Sequence, residues 1–168
     1  MKTFITIFTI LSISIVGFSQ DAEAFFKRAE SKYTSGNYEE AITAYSEAIK
    51  LDPDFLNAYL RRAFCFSATK NYEGAISDYT KIIELGHNLQ WTLNSRGSSY
   101  LKLKKHELAL KDFNRVLSIS AKDTEALNNR GWTYQGMGKH DLACADWKKS
   151  KKYGNPEAKL ILKNTNCK

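Results

Sequence analysis

Apolar and polar positions along residues 22–157 repeat at two periods at once. Over short distances apolar residues fall three and four apart, as at Ala41, Tyr45 and Ala48, which sets them on one face of an α-helix. Over long distances the pattern returns every 34 residues without a gap, dividing the chain into units 22–55, 56–89, 90–123 and 124–157. Small residues recur at Ala29, Ala63, Gly97 and Gly131, and again at Ala41, Ala75, Ala109 and Ala143. Large aromatics recur at Tyr45, Tyr79, Phe113 and Trp147, and apolar residues at Phe25, Tyr59, Leu93 and Leu127. Helix axes approach to about 8–10 Å only where side chains are small, so each unit reads as two helices of about thirteen residues touching at these small positions. Where the pair diverges, a large ring must fill the gap.

Turn chemistry punctuates the pattern at the same spacing. Gly36-Asn37-Tyr38, Lys70-Asn71-Tyr72, Lys104-Lys105-His106 and Gly138-Lys139-His140 mark the break inside each unit. Leu51-Asp52-Pro53 closes the first unit, while His87, Ala121 and Asn155 stand where the other units would carry that proline. Gly154 then serves as a helix stop, and Asn155-Pro156-Glu157 opens a ninth helix running to about Asn164 that covers the last apolar face. The domain plan is therefore a repeat domain over 22–157 followed by a capping helix and tail over 158–168.

Residues 1–20 are of another kind. Lys2 precedes an apolar run from Phe4 to Phe18, which ends in Gly17-Phe18-Ser19-Gln20. This has the three regions of a secretory signal peptide, with cleavage expected after Ser19 or Gln20, and it is short for a spanning helix. An uncleaved membrane anchor is the alternative, and under the first functional reading given below a membrane is a partner only in that case. Export to a bacterial periplasm or outside the cell follows from the first reading.

The 34-residue period and the small, small, aromatic, small signature resemble those of the tetratricopeptide-repeat family, across about four-fifths of the chain. The resemblance implies an all-α fold: a right-handed α-solenoid of four helix-turn-helix repeats whose concave groove is lined by the first helix of each. It also implies a scaffold that holds a protein or peptide. Groove positions carried over from the family fall on Phe26, Leu60, Phe64, Trp91, Asn94, Asn128 and Trp132, with Asn57, Ser98, Leu101 and Gln135 beside them. Amides pair with a peptide backbone and aromatics give large contact area at small entropic cost, so the mixture suits a bound segment. The competing reading is that Phe64, Trp91 and Trp132 only pack between neighbouring helices. Some relatives clamp acidic C-termini through a groove lysine, but Phe26 and Leu60 occupy the corresponding positions here. The resemblance thus points to a more neutral, apolar ligand.

Net charge changes the picture little. The formal charge is +7, and removing Lys2 with the leader leaves +6. Eight lysines between Lys139 and Lys168 face only Asp141, Asp146 and Glu157. A solvated basic face explains them, and the second functional reading is an envelope-associated structural protein whose basic end contacts anionic polymers or lipids. Arg28, Arg62, Arg96 and Arg130 recur at one place in the period, and Asp78, Asp112 and Asp146 at another, with Ala44 in the first slot. Charges that follow a structural repeat are expected to pair with one another.

Three cysteines remain. Cys144 and Cys167 meet if the ninth helix returns antiparallel to the eighth, giving a disulfide that fastens the cap; two unpaired thiols are the alternative. Cys65 reads as a small buried residue. His87, His106 and His140 show neither metal-ligand spacing nor a nucleophile beside them, and no phosphate loop is present. The expectation is a binding protein, with no catalytic residue, cofactor or metal, and with neither nucleic acid nor a small-molecule substrate as partner.

Overall fold

The computed structural model describes residues 21–86 and 89–167; the expected leader over 1–20, and His87 at the second repeat boundary, lie outside them. Among the described residues every regular element is a helix. The helices are α1 (21–34), α2 (Tyr38–Leu51), α3 (Leu56–Ala68), α4 (Tyr72–Glu84), α5 (Leu89–Lys102), α6 (His106–Ile119), α7 (Thr124–Gly136), α8 (His140–Lys152) and α9 (Pro156–Asn164). None is long and apolar enough to cross a membrane.

The helix ends follow from local chemistry. Residues 36, 70, 104 and 138 hold one repeat position, and all four adopt left-handed backbone, with φ of 76° at Gly36, 61° at Lys70, 56° at Lys104 and 74° at Gly138. The turn therefore demands a conformation that glycine adopts freely and lysine adopts only under strain. Among the described residues side chains cap three helices: Asn71 accepts from the Gly74 N–H at 2.9 Å ahead of α4, and α7 and α9 are capped likewise. Asp123 accepts from the Ala126 N–H at 2.8 Å, and Asn155 accepts from the Glu157 and Ala158 N–H groups ahead of α9, whose first turn also carries Pro156.

The described residues divide into two compact units, the first ending at Asp78 and the second beginning at Tyr79, with the boundary inside α4. In the first unit, Ala29, Ala41, Tyr45, Ala48, Ala58 and Cys65 form a buried core, against which Phe25, Phe26 and Tyr59 pack. The Tyr45 hydroxyl donates to the Glu30 carboxylate, and burial together with that carboxylate pushes the phenol pKa well up. In the second unit α5 packs on α6, α6 on α7, α7 on α8 and α8 on α9. Leu93, Ala109, Phe113, Val116 and Ala126 build one cluster, and Ala143, Trp147 and Ile161 another.

The alternation of small and large residues read from the sequence has a steric basis here. A Cβ placed on Gly97 would meet the Phe113 ring at 2.8 Å, and one on Gly131 would strike the Trp147 indole. Phe113 and Trp147 are fully buried against these bare backbones. Ring size and missing side chain thus belong to one packing solution.

Cys65 lies in the first core with its thiol free. Burial, then the Glu30 carboxylate, pushes its pKa up to about 11, so thiolate is scarce at neutral pH. Alkylation of the native chain is expected to leave Cys65 unmodified, whereas denaturation without reductant exposes one reactive thiol per molecule. Intact mass after each treatment checks this, and three modified cysteines in the unreduced chain would contradict it.

Candidate functional site

The residues assigned to the groove lie on the first helices of the repeats, and burial separates them into two kinds. In the first unit Phe26 is half-buried, 5.6 Å from the Tyr45 ring and 4.8 Å from that of Phe55. Leu60 on α3 is also half-buried, while Phe64, one turn on, is 39% exposed. In the second unit Trp91 on α5 is 37% exposed and edge-on to Tyr79, with centroids 5.8 Å apart. Trp132 on α7 is 39% exposed and edge-on to Trp147 at 5.0 Å. Each indole is therefore fixed on one side by an aromatic edge and open on another, which preorganises an apolar contact.

Asn94 and Asn128 are placed differently from the exposed amides expected on a groove. Both are only 3% exposed. The Asn94 amide donates to Asp123 at 3.3 Å, and Gln90 donates to the other oxygen of the same carboxylate at 2.8 Å. The Asn128 amide donates to Glu157 at 2.9 Å. Asp123 and Glu157 stand 34 residues apart, each the last residue of its unit, with Asp123 capping α7 and Glu157 in the first turn of α9, so the same rung occurs in two repeats. These asparagines join successive first helices, and the tryptophans are left as the open surface. The signal was present in the sequence as an acidic residue 29 positions after each asparagine; face assignment by period alone passes over it, because period gives direction on a helix and not depth.

The arginines and aspartates pair in three repeats. Arg62 reaches Asp78 at 2.7 and 2.9 Å, Arg96 reaches Asp112 at 2.8 Å twice, and Arg130 reaches Asp146 at 2.7 and 2.8 Å. Each guanidinium spends a further N–H on the preceding second helix, at Ser46, Thr80 and Asn114 respectively. The fork of arginine is what permits this three-way join. Burial nonetheless pushes the Asp78 carboxyl above its usual range despite Arg62, whereas the Asp112 and Asp146 carboxylates hold Arg96 and Arg130 more firmly protonated. In the first repeat Ala44 offers Arg28 no carboxylate.

At the C-terminal end Cys144 and Cys167 are joined by a disulfide, with Cα atoms 5.4 Å apart. His140, one turn before Cys144 on α8, brings Nε2 to 3.6 Å from Cys144 Sγ, and its Nδ1 lies 3.0 Å from the Gln135 side-chain oxygen. Lys148, Lys151 and Lys152 line an open pocket with Leu162 and Cys167.

Comparison with known proteins agrees with this architecture. Residues 29–70 match a family described as TPR repeat, and residues 57–85, 92–123 and 124–153 match families described as tetratricopeptide repeat. No curated protein sequence matches the chain. Among solved structures, MamA from Desulfovibrio magneticus RS-1 superposes with a TM-score of 0.73 at 19% identity, covering 80% of this chain and 76% of that one. PilF from Pseudomonas aeruginosa gives 0.69 at 20% identity, covering 88% and 68%. The first TPR domain of Spaghetti (RPAP3), solved with the HSP90 peptide SRMEEVD, gives 0.63 at 28% identity, covering 71% and 95%.

Proposed function

Since the chain belongs to the tetratricopeptide-repeat family, we propose that it is an exported scaffold that binds an apolar segment of a partner protein on the first helices of its repeats. The observation that carries this reading is the exposure of Trp91 and Trp132, each steadied by an aromatic edge beneath it. Large aromatics held half-open on a rigid surface are the usual anchors of protein contacts. The Spaghetti domain was solved with an acidic peptide; Phe26 and Leu60 here favour an apolar one instead. Export is supported by the leader-like residues 1–20 and by the disulfide, which persists in oxidising compartments.

The test is selection of random peptides on the full chain, followed by affinity measurement on Trp91→Ala/Trp132→Ala. Apolar peptides are expected to be enriched and to bind the double variant at least tenfold more weakly, with helix content unchanged. Equal affinity for both proteins moves the binding face elsewhere. Mass analysis of the protein from the periplasmic and medium fractions tests export, for which loss of the first 19 or 20 residues is expected.

The convergence of Lys148, Lys151 and Lys152 favours a second reading, attachment of the basic end to anionic envelope polymers or lipids. Salt separates the two. Charge-driven attachment is expected to fall steeply between low and physiological ionic strength, while apolar peptide binding changes little. Co-sedimentation with anionic vesicles over a salt series, beside the peptide titration, measures both.

A further inference from the structure

We propose that reduction of the Cys144–Cys167 disulfide uncovers a zinc site whose ligands are Cys144, Cys167 and His140. The spacing of these residues in sequence gave no such hint, because Cys167 lies 23 positions beyond Cys144 and reaches it only through the return of α9. Folded, the ligand atoms of all three lie within 4.8 Å of one another. Tetrahedral zinc, with bonds of about 2.3 Å to sulfur and about 2.0–2.1 Å to nitrogen, sets a sulfur and a nitrogen ligand about 3.6 Å apart and two sulfurs about 3.8 Å apart. Cys144 Sγ and His140 Nε2 already stand at 3.6 Å. Reduction frees the Cys167 sulfur, which must swing out to about 3.8 Å from Cys144 Sγ and settle about 3.6 Å from His140 Nε2, starting from a cluster that already spans no more than 4.8 Å.

The surroundings fit ligands of this kind. The Gln135 side-chain oxygen accepts from His140 Nδ1, which leaves the Nε2 lone pair for the metal, and the Thr165 hydroxyl donates to Cys167 Sγ at 3.2 Å. Two thiolates and an imidazole favour zinc over calcium or magnesium, whose ligands are oxygens. Cys167 also lines the open lysine pocket, so the metal reaches the site from solvent. In the reducing step a thiol reductant supplies two electrons and two protons, leaving as its own disulfide, and the chain gains two thiols. Zinc then replaces the two thiol protons, which pass to water. The cap helix is fastened covalently in one state and by coordination in the other.

The experiment uses the full chain, reduced with a phosphine, desalted without oxygen and titrated with cobalt(II) as a coloured stand-in, then with zinc. The reduced protein is expected to take up one equivalent with a thiolate-to-cobalt absorption band, and the oxidised protein none. His140→Ala is expected to bind at least tenfold more weakly and Gln135→Ala about tenfold more weakly. Cys65→Ala should titrate as the native chain does, which excludes the buried thiol as the source of the band. Absence of the band in the reduced native chain, or native affinity in His140→Ala, overturns the proposal. His140→Ala keeps both cysteines, and its helix content and thiol count, matched to the native chain before reduction, separate loss of a ligand from failure to fold.

Discussion

Asp112→Ala is expected to lower the unfolding free energy by about 3–5 kcal/mol, the cost of leaving a buried charge without its partner. Asp112 is 3% exposed and takes both of the short hydrogen bonds from Arg96. The loss is not the worth of the pair, since desolvating both ions offsets much of their attraction. Replacing both, as Arg96→Leu/Asp112→Leu, is therefore expected to recover a large part of the loss. Urea unfolding of the three proteins decides this. A single variant within about 1 kcal/mol of the native chain would mean that water reaches Arg96 and screens it as at a surface.

This pair also shows where the sequence was informative. The recurrence of arginine and aspartate at fixed places in the period was enough to expect them to meet, since a repeating structure gives each copy the same neighbours. The Ser46, Thr80 and Asn114 acceptors were not legible in the same way. They share a repeat position but not a chemical type, so no residue class marks them.

Trp147→Ala is expected to cost about 3–5 kcal/mol by opening a cavity beneath α7. Trp147 is fully buried and donates its indole N–H to the Asn128 carbonyl at 3.2 Å, so both packing and a hydrogen bond are lost. Gly131→Ala is expected to cost about 1–3 kcal/mol, because its new methyl collides with a rigid ring. In the Trp147→Ala background the same methyl enters empty space and should be neutral or stabilising. The interaction term of the cycle, read from denaturant midpoints, is thus expected to be large, whereas additive effects would show that the ring moves aside freely.

The fold was almost wholly legible, since helix period, small-to-large alternation and turn residues all agree across four copies. The candidate site was legible only in direction. Trp91 and Trp132 carry their rings to an open surface, but Asn94 and Asn128, on the same turns of equivalent helices, lie beneath Asp123 and Glu157. A one-dimensional pattern assigns each side chain an azimuth. How far the next segment overhangs it depends on where that segment begins, here on the caps at Asp123 and Asn155.

The terminal piece of a stacked array normally frays first, because detaching it restores chain freedom and sacrifices contacts on one side only. Joined through sulfur to α8, α9 gains little freedom by lifting away. Opening the α8–α9 contact therefore wins back little chain entropy, and the sulfur tether makes departure of α9 a local hinge motion and not a release.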